Sequence, residues 1–274
     1  MMGIPPTLRR GDHGDEVGHL QRLIGVVVDG HYGAETEMLV RARQMLYGLT
    51  IDGVCGPLTW TALLEREPFR LPSLAGLAAG EARALVAESQ LGACETRQNR
   101  GPQVDQYIAS MGGRPQDAPP WCAYFVSWCG QQVHDAGVPI ERVISGAARS
   151  HWQRASGPHR FERDSLAATI SAGTVAQWVG DGLSRALRGS VYVRARSATP
   201  EKRAAILSGA RAQGHTGIVT GAHVDRLGRI VIEGIAGNSS GAGHQTLGGT
   251  GRVARERIVE GSEAWRALVG VVLP

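Results

Sequence analysis

Apolar residues in the first quarter of the chain recur at helical spacing. In LRRGDHGDEVGHLQRLI (Leu8 to Ile24) a polar loop gives way to Val17, Leu20, Leu23 and Ile24, which share one helical face. Two further apolar segments follow, each introduced by the same short motif. VDGHYGAETEMLV (28–40) and IDGVCGPLTWTAL (51–63) align at an offset of 23, so Asp29, Gly30, Gly33 and Thr36 recur as Asp52, Gly53, Gly56 and Thr59. Asp-Gly predicts a tight turn, the second glycine a close approach, and Thr36 or Thr59 a cap for the helix that follows. Two such units need each other's apolar faces. The prediction is a three-helix module over residues 7–66, near the lower size at which domains fold alone. Asp29 and Asp52 read as turn architecture, and His31, Tyr32 and Trp60 as possible ligand contacts beside the groove between the repeats.

The pattern then changes. EREPFRLPSLAGLAAGE (Glu65 to Glu81) carries Pro68, Pro72, Gly76 and Gly80 among small residues, which predicts a linker over 67–79 entering a helix at about Gly80. A second domain over 80–274 has mixed periodicity. Pro119 and Pro120 cannot lie inside a helix, whereas Cys122 to Cys129 has no Gly or Pro and is mostly apolar, so a helix should begin near Cys122. GSVYVRARS (Gly189 to Ser197) alternates as a strand, and ATPEKRAAILSGARAQ (Ala198 to Gln213) reads as a short helix. GHTGIV (Gly214 to Val219) and RIVIEG (Arg229 to Gly234) read as a hairpin around the turn at Asp225 to Gly228. The mixed stretch from His151 to Leu187 reads as an insertion. It and the Ala198 to Gln213 segment are candidates for lining a groove or forming a lid, with Trp152 and Trp178 placed in the core.

Composition narrows the possibilities. The 274 residues are 42% hydrophobic, enough for two domains with separate cores, and the formal charge of +4 suits an anionic partner. Basic residues are scattered and only 5% of residues are aromatic, which argues against nucleic-acid binding. No segment reaches the ~20 apolar residues that span a bilayer, and MMGIPPTLRRG lacks the apolar core of a secretory leader. Synthesis in the cytoplasm without a signal peptide, and a monomer, are the expectations. The four cysteines, at 55, 94, 122 and 129, have no CxxC spacing. No cofactor and no metal are expected, since His151, His159, His223 and His244 also lack i, i+4 ligand spacing.

The chemistry-bearing candidates are a thiol, an imidazole and an orienting group. At the start of a helix, unpaired N–H groups and the macrodipole favour a Cys122 thiolate and can hold an oxyanion. Cys129, two turns on, reads as core. His215, between glycines on a strand, is the base. Asn238 in IAGNSSG is the preferred orienter and Glu233 its rival, since either can accept the imidazole N–H.

At Cys122, His215 and GNSS (Gly237 to Ser240) the chain resembles the CHAP family, cysteine, histidine-dependent amidohydrolases and peptidases that cleave peptidoglycan. ETRQNRGPQVDQY (Glu95 to Tyr107) is similar to the stretch that leads to the nucleophile in one bacterial and phage branch. The resemblance implies an α+β papain-like domain with an antiparallel sheet, Cys122 on its helix and His215 on the sheet. The third residue stays open, because Glu233 and Asn238 are separated where many members carry Glu-Gly-Asn contiguously. The N-terminal pattern, including GDHGDEV, Leu20-Gln21 and DGVCGPLTW, resembles the type 1 peptidoglycan-binding domain, with Arg43 where that family usually has Phe. Together these resemblances imply a peptidoglycan hydrolase acting on the cell wall after host lysis or specialised export, endolysin-like, as an N-acetylmuramoyl-L-alanine amidase or an endopeptidase. An NlpC/P60-type endopeptidase, a secreted antibacterial effector, and a non-enzymatic wall-binding or virion structural protein are the alternatives.

Overall fold

The computed structural model describes residues 5–24, 26–65, 71–93, 95, 98–155, 159–171, 181–210, 212–239 and 251–274. The first three helices are α1 (Asp15–Ile24), α2 (Ala34–Leu46) and α3 (Pro57–Glu65). They close around Val17, Leu20, Ile24, Leu39, Val40 and Leu63, with Leu23 packed at the margin.

Both repeats are pinned by a glutamine from the preceding helix. Gln21 Nε2 donates to Asp29 Oδ1 (2.7 Å), the His31 carbonyl (3.0 Å) and Thr36 Oγ1 (3.2 Å), while its Oε1 accepts from the Gly30 amide (2.9 Å). Gln44 repeats this with Asp52 (2.8 Å), the Val54 carbonyl (2.9 Å), Thr59 (3.1 Å) and the Gly53 amide (2.9 Å). The threonines therefore do not act as the expected caps. Gly33 is the N-cap of α2 and no side chain caps it. Thr36 and Thr59 are instead buried acceptors for the glutamines. Two of the candidate ligand contacts are corrected as well. Tyr32 and Trp60 are fully buried, with Tyr32 Oη donating to the Gly53 carbonyl (2.9 Å) and Trp60 Nε1 to the Pro6 carbonyl (2.8 Å). His31 is exposed and its ring lies against His13 at 4.4 Å.

The second part contains, in chain order, α4 (Ala79–Ser89), α5 (Pro102–Ser110), α6 (Cys122–Asp135), α7 (Ala148–Gln153), β1 (Arg160–Glu162), α8 (Arg163–Ser171), α9 (Asp181–Leu187), β2 (Val191–Ala195), α10 (Pro200–Leu207), β3 (Gly214–Val224), β4 (Ile230–Ser239), β5 (Arg252–Val259), α11 (Glu263–Ala267) and β6 (Leu268–Val272). The six strands form one antiparallel sheet in the order β1-β6-β2-β3-β4-β5. As the alternation in Gly189 to Ser197 predicts, β2 lies beside β3, with Arg194 opposite His215. The expected hairpin joins β3 to β4, and Asp225 Oδ1 accepts from the Leu227 (2.9 Å) and Arg229 (3.0 Å) amides to tighten its turn.

Apolar cores lie on both faces of the sheet. Val191, Val193, Ile218 and Ile235 join Phe125, Val126 and Cys129 of α6 in one core, while Tyr192, Val219, Ile232 and Ile258 join Leu166, Leu183 and Trp265 in the other. Trp152 is buried in the first core as expected, and Trp178 lies outside the described residues. The close approach of α6 to β4 requires Gly237, where a Cβ would lie 2.8 Å from Phe125 Cβ. The helical module also touches this part. Leu46 at the end of α2 faces Gly92, and Arg252 Nη1 of β5 meets Met45 Sδ at 3.6 Å.

Among the described residues no helix is long and apolar enough to cross a membrane, and no cluster of three His, Cys, Asp or Glu side chains is placed to hold a metal ion.

Candidate active site

Cys122 is the first residue of α6, after Trp121 as N-cap, and no side chain caps that end. The first-turn amides are thus left without a side-chain cap beside the cysteine. His215 enters from the start of β3, where its side chain meets the Cys122 thiol through a hydrogen bond. Its Nε2 lies 3.0 Å from Glu256 Oε1 on β5, which leaves Nδ1 for the thiol.

Glu256 is the residue that the sequence reading missed. Neither Asn238 nor Glu233 touches His215. Glu233 is exposed on β4 opposite Arg257. Asn238 Nδ2 donates to Asn99 Oδ1 at 3.1 Å and the side chain lines the cavity. Register explains the outcome. Tyr192 on β2 lies over Gly217 and Gly234, where Cβ atoms would run into its ring, and its Oη reaches Glu256 Oε2 at 2.6 Å. The space at Gly217 therefore takes Tyr192, while Gly214 on the other side of His215 lines the cavity. A signal for this existed, because Glu256 is the only acid in Arg252–Val259 and two glycines precede it on neighbouring strands. Recognising it required the register.

Four groups hold the Glu256 carboxylate: His215, Tyr192, Ser239 Oγ (2.7 Å) and Arg194 Nη2 (3.3 Å). Burial alone would raise its pKa, but the charges of His215 and Arg194 and the donated hydrogen bonds outweigh this and hold it well below the usual carboxylate range. His215 shows the converse balance. Burial opposes its charge, yet the thiol and Glu256 together push it up to about 9. Burial would raise the Cys122 thiol, and His215, the Thr216 amide and Arg196 reverse that and lower it below its ordinary value. Cys129, 0% exposed, is pushed up by burial, which the charge of Arg83 offsets only in part. The directions for Cys122 and His215 favour a thiolate–imidazolium pair backed by an ionised glutamate.

Cys122 borders a cavity of about 550 Å³. Ala148 and Arg149 of α7, Arg196 after β2, and Gln213 form part of its wall, with Glu95, Asn99 and Asn238 also lining it. Of the two expected insertions, Ala198 to Gln213 contributes Ala212 and Gln213, and no described residue of His151 to Leu187 lines it. His151 is buried against the Ala123 carbonyl (3.3 Å) and Ser127 (3.4 Å), and burial takes it down to about 4. Three non-glycine residues have left-handed backbones, Asn99 (φ 53°), Ala118 (45°) and Asn238 (54°), and they are linked. Asn99 Nδ2 donates to the Ala118 carbonyl at 2.8 Å, and Asn99 Oδ1 accepts from Asn238 Nδ2. Such conformations cluster where surrounding structure holds a binding or catalytic site in place.

A family model described as "Putative peptidoglycan binding domain" matches residues 14–63. The helical module is a peptidoglycan-binding domain. This domain spans α1 to α3 and both glutamine-pinned repeats. A protein of Kitasatospora aureofaciens described as "Uncharacterized protein in bpoA1 3'region" is 40% identical over 65 residues, covering 21% of this chain and 55% of that protein. The chain thus spans about half the length of this curated relative. No solved structure matches the chain.

Proposed function

We propose that the chain is a peptidoglycan hydrolase in which the N-terminal domain holds the wall and the second domain cleaves an amide bond of the stem peptide with Cys122. The observation that carries this reading is the contact of Cys122 with His215 while Glu256 sits 3.0 Å from the other ring nitrogen. Nucleophile, base and orienter in hydrogen-bond sequence are the signature of covalent acyl transfer. A helix-borne cysteine packed against a histidine on an antiparallel sheet also agrees with a papain-like domain of CHAP type, with Glu256 rather than Asn238 in the third position.

In this mechanism the Cys122 thiolate attacks the carbonyl carbon, and the amides of the first turn of α6 accept the developing oxyanion. Collapse of the tetrahedral intermediate breaks the C–N bond as imidazolium His215 gives its proton to the leaving amine. Neutral His215 then takes a proton from water, which attacks the thioester, and the acid product leaves with the thiolate–imidazolium pair restored. Glu256 keeps the ring oriented and supports its charge in both halves. An NlpC/P60-type site typically presents a further histidine in the third place, so the carboxylate favours the CHAP-type reading. The route to the wall in this proposal is lysis or dedicated export.

The test uses the full chain and purified sacculi. Wild type should release soluble muropeptides with new amine termini, identified by mass spectrometry. Cys122→Ala should sediment with sacculi and release nothing. Sedimentation without release by the wild-type protein would instead support the non-enzymatic wall-binding alternative.

A further inference from the structure

Among the described residues the charged side chains lining the Cys122 cavity are Glu95, Arg149 and Arg196, and they are not equivalent. Glu95 is 4% exposed and its Oε1 accepts from Trp121 Nε1 at 2.7 Å, which holds its carboxylate at the buried edge of the cavity. Arg149 is half-buried and Arg196 exposed. Among the described residues neither guanidinium has an ion-pair or hydrogen-bond partner. The neighbouring arginines are used differently. Arg194 binds Glu256 at 3.3 Å, and Arg83 donates to the Gly189 (3.1 Å) and Glu141 (3.2 Å) carbonyls.

Charge bookkeeping behind the thiol also matters. Thiolate Cys122 balances imidazolium His215, and Glu256 balances Arg194, so the reacting network is neutral as a unit. Arg149 and Arg196 then stand against the single buried carboxylate of Glu95, which leaves a net positive charge on the described lining. They give the open cavity a positive wall, and Arg196 already contributes to holding the thiol ionised.

We propose that Arg149 and Arg196 form an anion-binding subsite of this cavity, which selects substrates carrying a free carboxylate beside the amide to be cut. A guanidinium presents paired N–H donors that match a carboxylate, and apart from the buried Glu95 the remaining described polar lining, including Gln213 and Asn238, is neutral. The subsite names the substrate class for the hydrolase reading above and rests on that reading for the identity of the bond. Its existence is testable without turnover.

The probe is a pair of small alkylating agents of similar size, anionic iodoacetate and neutral iodoacetamide. Carboxymethylation and carbamidomethylation of Cys122 are followed by peptide mass spectrometry on the full chain, which separates Cys122 from the other thiols. The His215 imidazolium attracts iodoacetate in every variant, so the comparison that counts is between variants. Arg149→Gln and Arg196→Gln should each lower the iodoacetate-to-iodoacetamide rate ratio, the double variant by about 10-fold or more, and Arg196→Lys should retain part of it. Circular dichroism should match wild type, since both side chains reach solvent. A ratio unchanged in the double variant overturns the subsite whatever the fate of wall cleavage. If the ratio falls, matched synthetic stem peptides with a free carboxylate or a carboxamide should differ by about 10- to 100-fold in kcat/KM for wild type and converge for the double variant. Equal cleavage of both peptides by wild type overturns the proposed selectivity, whereas cleavage of neither overturns the hydrolase reading alone.

Discussion

Glu256→Gln is the most informative single substitution, because it keeps the side chain's shape while removing the charge behind His215. The carboxylate accepts from Tyr192 at 2.6 Å and Ser239 at 2.7 Å and meets His215 at 3.0 Å. An amide cannot accept at both ends, so one of these donors loses its partner. The elevation of His215 from 6.5 to about 9 corresponds to about 3 kcal/mol of preference for the charged ring, shared between the thiolate and Glu256. Assigning half to Glu256 moves the imidazolium titration down by about one pH unit and costs about 10-fold in the ion-paired form near pH 9. Loss of ring orientation adds to this, and removal of an orienting group typically costs a total of about 10²- to 10⁴-fold in rate. Breaking a buried charge pair should also lower stability by about 3 kcal/mol.

The assay is release of muropeptides across pH, with alkylation of Cys122 by iodoacetamide across the same range as a direct titration of the thiol. Thermal melts show that the variant is folded at the assay temperature. Asn238→Ala is the control, because its side chain bonds to Asn99 and not to His215. A Glu256→Gln profile that overlays wild type, or a larger rate loss in Asn238→Ala, would refute the assignment of Glu256 as orienter.

The raised pKa of His215 gives the wild-type rate an alkaline limb near pH 9, where the ring loses the proton needed by the leaving amine; a pH–rate profile flat through pH 10 would contradict this. The linked stability follows the same sign, since the charged ring stabilises the fold fully below about pH 6.5 and ceases to as pH rises through about 9. The depressed pKa of Glu256 acts oppositely, with its contribution present above about pH 4.5 and lost on further acidification, which melting temperatures across pH should follow. In the helical domain, Gln44→Ala should destabilise by about 2–4 kcal/mol, because it strips partners from Asp52, Thr59 and the Gly53 amide at once. Denaturant melts of the full chain should show an early transition with reduced sacculus binding, and a change under 0.5 kcal/mol would refute the pinning role.

Local rules determined more of this protein than its pairings. Two prolines before an apolar run set the start of α6 at Cys122, an Asp-to-Gly turn set the β3–β4 hairpin, and a repeat at offset 23 set the helical domain. These signals act within about a dozen residues, through φ restriction, turn chemistry and helical periodicity. The same offset relates Gln21 to Gln44, each eight residues before its aspartate, but their role required seeing which buried donors the turns left unmet. The thiol and the imidazole were legible because residue type and local context pointed to the same chemistry. The third member of the site was not. Glu256 lies 41 residues from His215 and reaches it only because β5 pairs with β4 in one register, while Gly217 and Gly234 clear a path for Tyr192. Strand register and the burial of one carboxylate among four partners are properties of the assembled sheet. A one-residue slip would turn Glu256 to the opposite face and leave His215 without its counter-charge.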